Sequence, residues 1–207
     1  MKTVKFPWLH LVELALLFVI MPLLYVADAL PVHKLIPLVA LLVYCTIVML
    51  VNKPVNANRF SLACDWKLIL IRFVIINVVV FLVIRFVLHG ELFADLQKNR
   101  KLFYMILMYP LLSALPQEVI FREFFFYRYN TLFRNPSVLV IMNVVLFAFA
   151  HIYFGSWLVI IFTLVGGTIF ALTYRQTRSL LAVTIEHTLY GLMVLCSGLG
   201  EYFYKAF

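Results

Sequence analysis

Glu118 and Arg122 stand four residues apart in the segment Pro116-Gln117-Glu118-Val119-Ile120-Phe121-Arg122-Glu123. On a helix that spacing puts both side chains on one face. A carboxylate one turn from a guanidinium can stay ionised away from water. Gln117 adds a neutral amide that can orient a water but cannot take its proton. Pro116 cannot donate to the carbonyl four residues back, so it kinks the helix and frees a backbone acceptor. Such an acceptor is tolerated in a lipid-facing chain only when protein covers it or a wet cavity receives it. A kink, an amide, a carboxylate and a guanidinium together suggest a polar cavity. The same Glu–Arg pair could equally lock two helices together.

Two histidines follow on separate apolar runs. His151 lies four residues after Phe147 and eight after Asn143. His187 has Glu186 beside it, Thr184 and Tyr190 three residues to either side, and Gly191 four on. A lone histidine among apolar helices is usually an interhelical hydrogen bond. Two of them with Glu118 can activate a water for hydrolysis, as general base and orienters. They could also bind Zn²⁺. The zinc reading is the weaker, because no H-E-x-x-H pair and no third protein ligand stand out. No cofactor is expected.

The elements that hold these residues must be membrane helices. The chain has 207 residues, 65% hydrophobic and 13% charged, with a mean hydropathy of +1.05. A soluble domain is about half apolar and a quarter charged. The excess cannot fit one small core, so lipid is its natural solvent. Apolar runs predict spans at about 7–27, 35–51, 68–88, 102–133, 137–153, 157–174 and 179–196. The fourth is interrupted by Pro110 and Pro116, and the tail from Gly200 is expected at the interface. The expectation is an all-α, polytopic bundle of about seven transmembrane helices in one domain, 1–207. The N-terminal run is too long for a signal sequence and lacks a cleavage site, so it reads as a retained span.

The formal charge of +8 reflects Lys and Arg at helix ends, and nucleic acid is not expected as a partner. Lys2, Lys5, Lys53, Arg59, Arg128, Arg134, Arg175 and Arg178 predict a cytoplasmic N-terminus in the cell (inner) membrane; Lys34, Lys98, Arg100, Lys101 and Lys205 would lie opposite. Cys45, Cys64 and Cys196 form no disulfide framework. His10 and Glu13 read as interfacial anchors, and Arg72 and Arg85 as snorkelling side chains. Gly166, Gly167 and Ala171 form a small-residue stripe for close helix packing.

The order of these motifs resembles the CPBP family, which includes type II CAAX prenyl endopeptidases and bacterial Abi-type, bacteriocin-processing and immunity proteins. Its pattern is Glu-Glu-x-x-x-Arg, then Phe-x-x-x-His, then His-x-x-x-Asn on successive membrane helices. The likeness covers 113–191, which it marks as a catalytic core. It implies an intramembrane peptidase with a cavity between helices. The family's first Glu activates water together with the second-motif His. The third-motif His and Asn stabilise the oxyanion, and the Arg orients the second Glu. By position, Glu118 is the second Glu, Arg122 the Arg, Phe147 and His151 the second motif, and His187 the third.

Two positions depart from the pattern: Gln117 replaces the first Glu, and Gly191 the Asn. The expectation is a peptidase with Glu118 as base and His151 assisting, acting on a membrane-associated peptide or protein. The alternative is a non-catalytic binder or immunity-type protein on the same fold. A small proton-coupled transporter is a further alternative, disfavoured because no second half mirrors the one broken helix. Oligomeric state is not legible here.

Overall fold

A computed structural model describes residues 7–33, 35–52, 58–87 and 100–204. Lys2, Lys5, Lys34, Lys53, Lys98, Lys205 and most of the polar stretch after the third span lie outside the described residues. Seven principal helices follow: α1 (7–26), α2 (Leu35–Asn52), α3 (66–87), α4 (100–128), α5 (Pro136–Phe149), α6 (Trp157–Thr177) and α7 (Leu180–Cys196). A short α8 (Glu201–Tyr204) closes the described chain. Stretches in α1, α2, α3, α5 and α6 are long and apolar enough to cross a membrane, α5 by way of its extension to Phe154. The shorter α7 is apolar too, and α4 carries the charges.

The polarity of the bundle is that of a protein dissolved in lipid. Leu50 and Val51 are 77% exposed, while Glu118, Arg122, Asn143 and Glu186 have no exposed surface. Charge inside and hydrocarbon outside is stable only where the surroundings are apolar and the buried charges are paired. The chain is thus an integral membrane protein.

Helix α4 is the axis of the site. It does not break at its prolines. Instead two wide π-helical turns, Pro110–Ala114 and Val119–Phe124, flank Pro116. The Leu115 amide reaches back five residues to the Pro110 carbonyl, one residue further than an α-helix would use. The extra residue per turn rotates the face that follows. The helix ends at Arg128, earlier than the sequence predicts, in a turn around Tyr129.

Side-chain caps set where other helices begin. Asp65 accepts from the Leu68 amide, Asn135 from Ser137, and Ser179 from Ala182. Phe18 of α1 packs edge-on against Phe121 and Phe125 of α4, with centroids 5.3 and 5.4 Å away. Helices α5 and α6 pack along their lengths.

Two expectations are corrected by the ion pairs. Glu13 is no interfacial anchor: it takes two hydrogen bonds from Arg128 Nε and one of 2.6 Å from its Nη2, tying α1 to the end of α4. Arg72 does not snorkel. It donates to Glu186 (3.0 Å) and Thr173 (3.1 Å), joining α3 to α7 and α6. Arg59 likewise meets buried Glu123 at 3.0 Å. Each pair forms because a lone charge in this interior would be costly.

Candidate active site

The two carboxylate oxygens of Glu118 are divided between two partners. Oε2 lies 3.2 Å from Arg122 Nε, one turn along α4, and Oε1 lies 2.7 Å from His187 Nδ1 on α7. The Arg122 contact is an ion pair without aligned hydrogen-bond geometry. Both Glu118 and Arg122 are fully buried.

Arg122 is held from every side. Its Nη1 donates to Asn143 Oδ1 of α5 (2.6 Å), and its Nη2 to the Gly167 carbonyl of α6 (3.4 Å). The guanidinium sits 4.8 Å from the Phe147 ring centroid, a cation–π contact that desolvation strengthens. Asn143 Nδ2 in turn donates to the Phe121 carbonyl inside the second wide turn of α4. Helices α4, α5, α6 and α7 therefore converge on one guanidinium–carboxylate–imidazole chain.

His151 stands where α5 gives way to a single 3₁₀ turn, Ile152–Phe154. Gly155, at φ +64°, ends that turn in the left-handed region that glycine favours. The His151 Nδ1 is 2.7 Å from the Phe147 carbonyl. A carbonyl can only accept, so Nδ1 carries the hydrogen and Nε2 keeps a lone pair. The same logic holds for His187, whose Nδ1 faces the Glu118 carboxylate. Phe147 lies between the two imidazoles, 4.8 Å from His151 and 6.0 Å from His187 by ring centroid. Phe170 stacks on His187 at 4.5 Å.

A cavity of about 250 Å³ runs along this cluster. Gln117, His151 and His187 line it, whereas Glu118 and Arg122 lie behind them. The Gln117 amide nitrogen donates to Ser113 Oγ (2.9 Å), and its buried carbonyl oxygen has no protein partner. Most of the remaining wall is apolar, from α1, α2 and α6. Among the described residues no three His, Cys, Asp or Glu side chains converge as a metal-ligand group.

The structure brings together all five residues singled out from the sequence: Gln117, Glu118, Arg122, His151 and His187. It adds Asn143 as the clamp on Arg122. A polar residue one turn before Phe147 on an apolar helix was the available signal. It also adds Tyr109, whose ring lies 6.1 Å from that of His187. No spacing rule could find a contact made between helices so far apart in sequence.

Residues 99–193, just under half of the chain, match the family described as type II CAAX prenyl endopeptidase Rce1-like. No curated protein and no solved structure matches the chain. The matched stretch runs through α4, α5, α6 and most of α7, and it contains every residue of the buried chain and both histidines. Over that segment the match agrees with the resemblance to the CPBP family read from the motif order.

Proposed function

We propose that this protein is an intramembrane endopeptidase that hydrolyses a peptide bond in a membrane-associated peptide or protein. The observation that carries the reading is the buried Arg122–Glu118–His187 chain ending at a cavity that also holds His151. His187 Nε2 takes a proton from water as the water oxygen attacks the peptide carbonyl carbon. The imidazolium that forms faces a carboxylate already in place, so little reorganisation is needed. The same proton then passes to the leaving amine. The free Gln117 carbonyl oxygen accepts the water's second hydrogen, and His151 Nε2 offers a second acceptor at the cavity wall. This revises the roles expected of Glu118 and of His187, which the resemblance placed at the oxyanion. With both oxygens engaged and none of its surface exposed, Glu118 acts through His187 instead of touching the water.

The departures at Gln117 and Gly191 support one rival, a binder that holds a peptide in the same cavity without cutting it. One assay separates the two. The purified protein in lipid nanodiscs is incubated with a proteome-derived peptide library whose amines are blocked, and new α-amino groups are counted. A peptidase generates them, and His187→Ala lowers the rate by about 10²–10⁴-fold. A binder generates none in either form.

A further inference from the structure

We propose that the Tyr109 hydroxyl donates the hydrogen bond that stabilises the oxyanion formed when the peptide carbonyl is attacked. The inference rests on the hydrolytic reading above. Amide hydrolysis places negative charge on the carbonyl oxygen, and a preorganised donor aimed at that oxygen is usually a large part of catalysis.

The donors along the cavity are mostly committed. The Gln117 amide is bonded to Ser113, and Thr163 Oγ1 to the Val159 carbonyl. The Nδ1 hydrogens of His151 and His187 serve the Phe147 carbonyl and Glu118. Arg122 is buried behind Glu118. Tyr109 lines the cavity beside His187, whereas Tyr153, which also lines it, lies at the far Tyr25 end. The Tyr109 ring stands edge-on to His187 at 78°, and it lies within electrostatic reach of Glu118.

Gly191 explains how the phenol reaches this place. A β-carbon on residue 191 would collide with the Tyr109 hydroxyl oxygen first and then with ring carbons Cζ and Cε1. The hydroxyl therefore occupies the volume that any side chain at 191 would fill, one helical turn from His187. Tyr190, which also lines the cavity, has a buried hydroxyl without a partner. Its ring packs against Phe73 (5.4 Å) and Phe170 (5.8 Å), and its hydroxyl is within electrostatic reach of Glu186 and Arg72, not of Glu118.

The step balances with Tyr109 unchanged. The water oxygen bonds to the carbonyl carbon, the carbonyl π pair moves onto oxygen, and the water's proton goes to His187 Nε2. Tyr109 Oη–H donates to the charged oxygen and keeps its proton. When the electron pair returns, the C–N bond breaks and His187 protonates the amine nitrogen.

The test uses the nanodisc protein and the fastest-cut peptide from the blocked library. Tyr109→Phe keeps the ring that fills the space over Gly191 and removes only the donor. It should lower kcat by about 10²–10³-fold with KM unchanged. Tyr190→Phe should cut at the wild-type rate. Gly191→Ala, which pushes the phenol aside, should lower kcat as Tyr109→Phe does. A purely structural Tyr109 would leave kcat intact in the Phe variant. Wild-type kcat in Tyr109→Phe, or loss in Tyr190→Phe alone, overturns the assignment and leaves the peptidase reading standing. No turnover by the wild type overturns both.

Discussion

At the scale of single residues, the site is a carboxylate made dependable by its neighbours. Glu118 is shared between Arg122 and His187, and Arg122 is fixed by Asn143 and the Gly167 carbonyl. In a low-dielectric interior such a chain is useful only when every member is satisfied. Glu118 Oε2 faces the Arg122 charge without an aligned hydrogen bond, and Gln117 Oε1 is a loose acceptor at the cavity wall. Gln117→Glu would put a second carboxylate at the cavity wall beside two imidazoles, where it could itself accept the water's proton. The expected result in the library assay is a rate equal to or above wild type, and a large loss would contradict the orientation role given to Gln117. The Glu118–Arg122 pair and the candidacy of both histidines were legible because helical spacing and the rarity of charge in apolar runs are local signals. Which group faces the cavity was not. That depends on the rotation of α4 through two wide turns, which no spacing rule carries. The Glu13–Arg128 and Arg72–Glu186 pairs were hidden for a different reason, since each joins residues more than a hundred positions apart.

At the scale of elements, the helix boundaries followed the hydropathy closely, and the small-residue stripe on α6 does what its composition suggests. Gly167 lets α6 approach α5 until a β-carbon there would lie 2.9 Å from Phe147 Cδ1. Phe147 in turn covers Arg122 and separates the two imidazoles. Gly167→Ala should therefore cost about 1–3 kcal/mol through overpacking, and it should disturb turnover along with stability. Thermal unfolding in detergent checks the first part and the library assay the second. An unchanged melting temperature would mean the helices have slack that this packing does not show. The prolines of α4 taught the opposite lesson. They announced an irregularity, yet the chain absorbs it as two π turns in place of a sharp break.

At the scale of the whole molecule, five arginines gather at one end, while Arg85, Arg100 and Lys101 lie toward the other. Arg59, Arg128, Arg134, Arg175 and Arg178 lie where α3, α5 and α7 begin or their predecessors end. The cavity reaches the other end, where Tyr25 and Tyr153 line it. From the positive-inside tendency we propose a cytoplasmic N-terminus, with the cavity's Tyr25 end toward the opposite face. Single cysteines at Arg134 and Asp28, in a chain with Cys45→Ala, Cys64→Ser and Cys196→Ser, test this with an impermeant thiol reagent added to intact cells. Labelling at 28 and protection at 134 is expected, and the reverse pattern would invert the topology. The central claim, that the Glu118–His187 pair cuts peptide bonds, is tested most directly by mass spectrometry of peptide N-termini. Cells carrying the wild type are compared with cells carrying Glu118→Gln at equal expression, with the variant shown to be inserted and folded. Termini present only with the wild type are the predicted result, and they would name the substrates as well. Identical termini in the two strains would contradict the account.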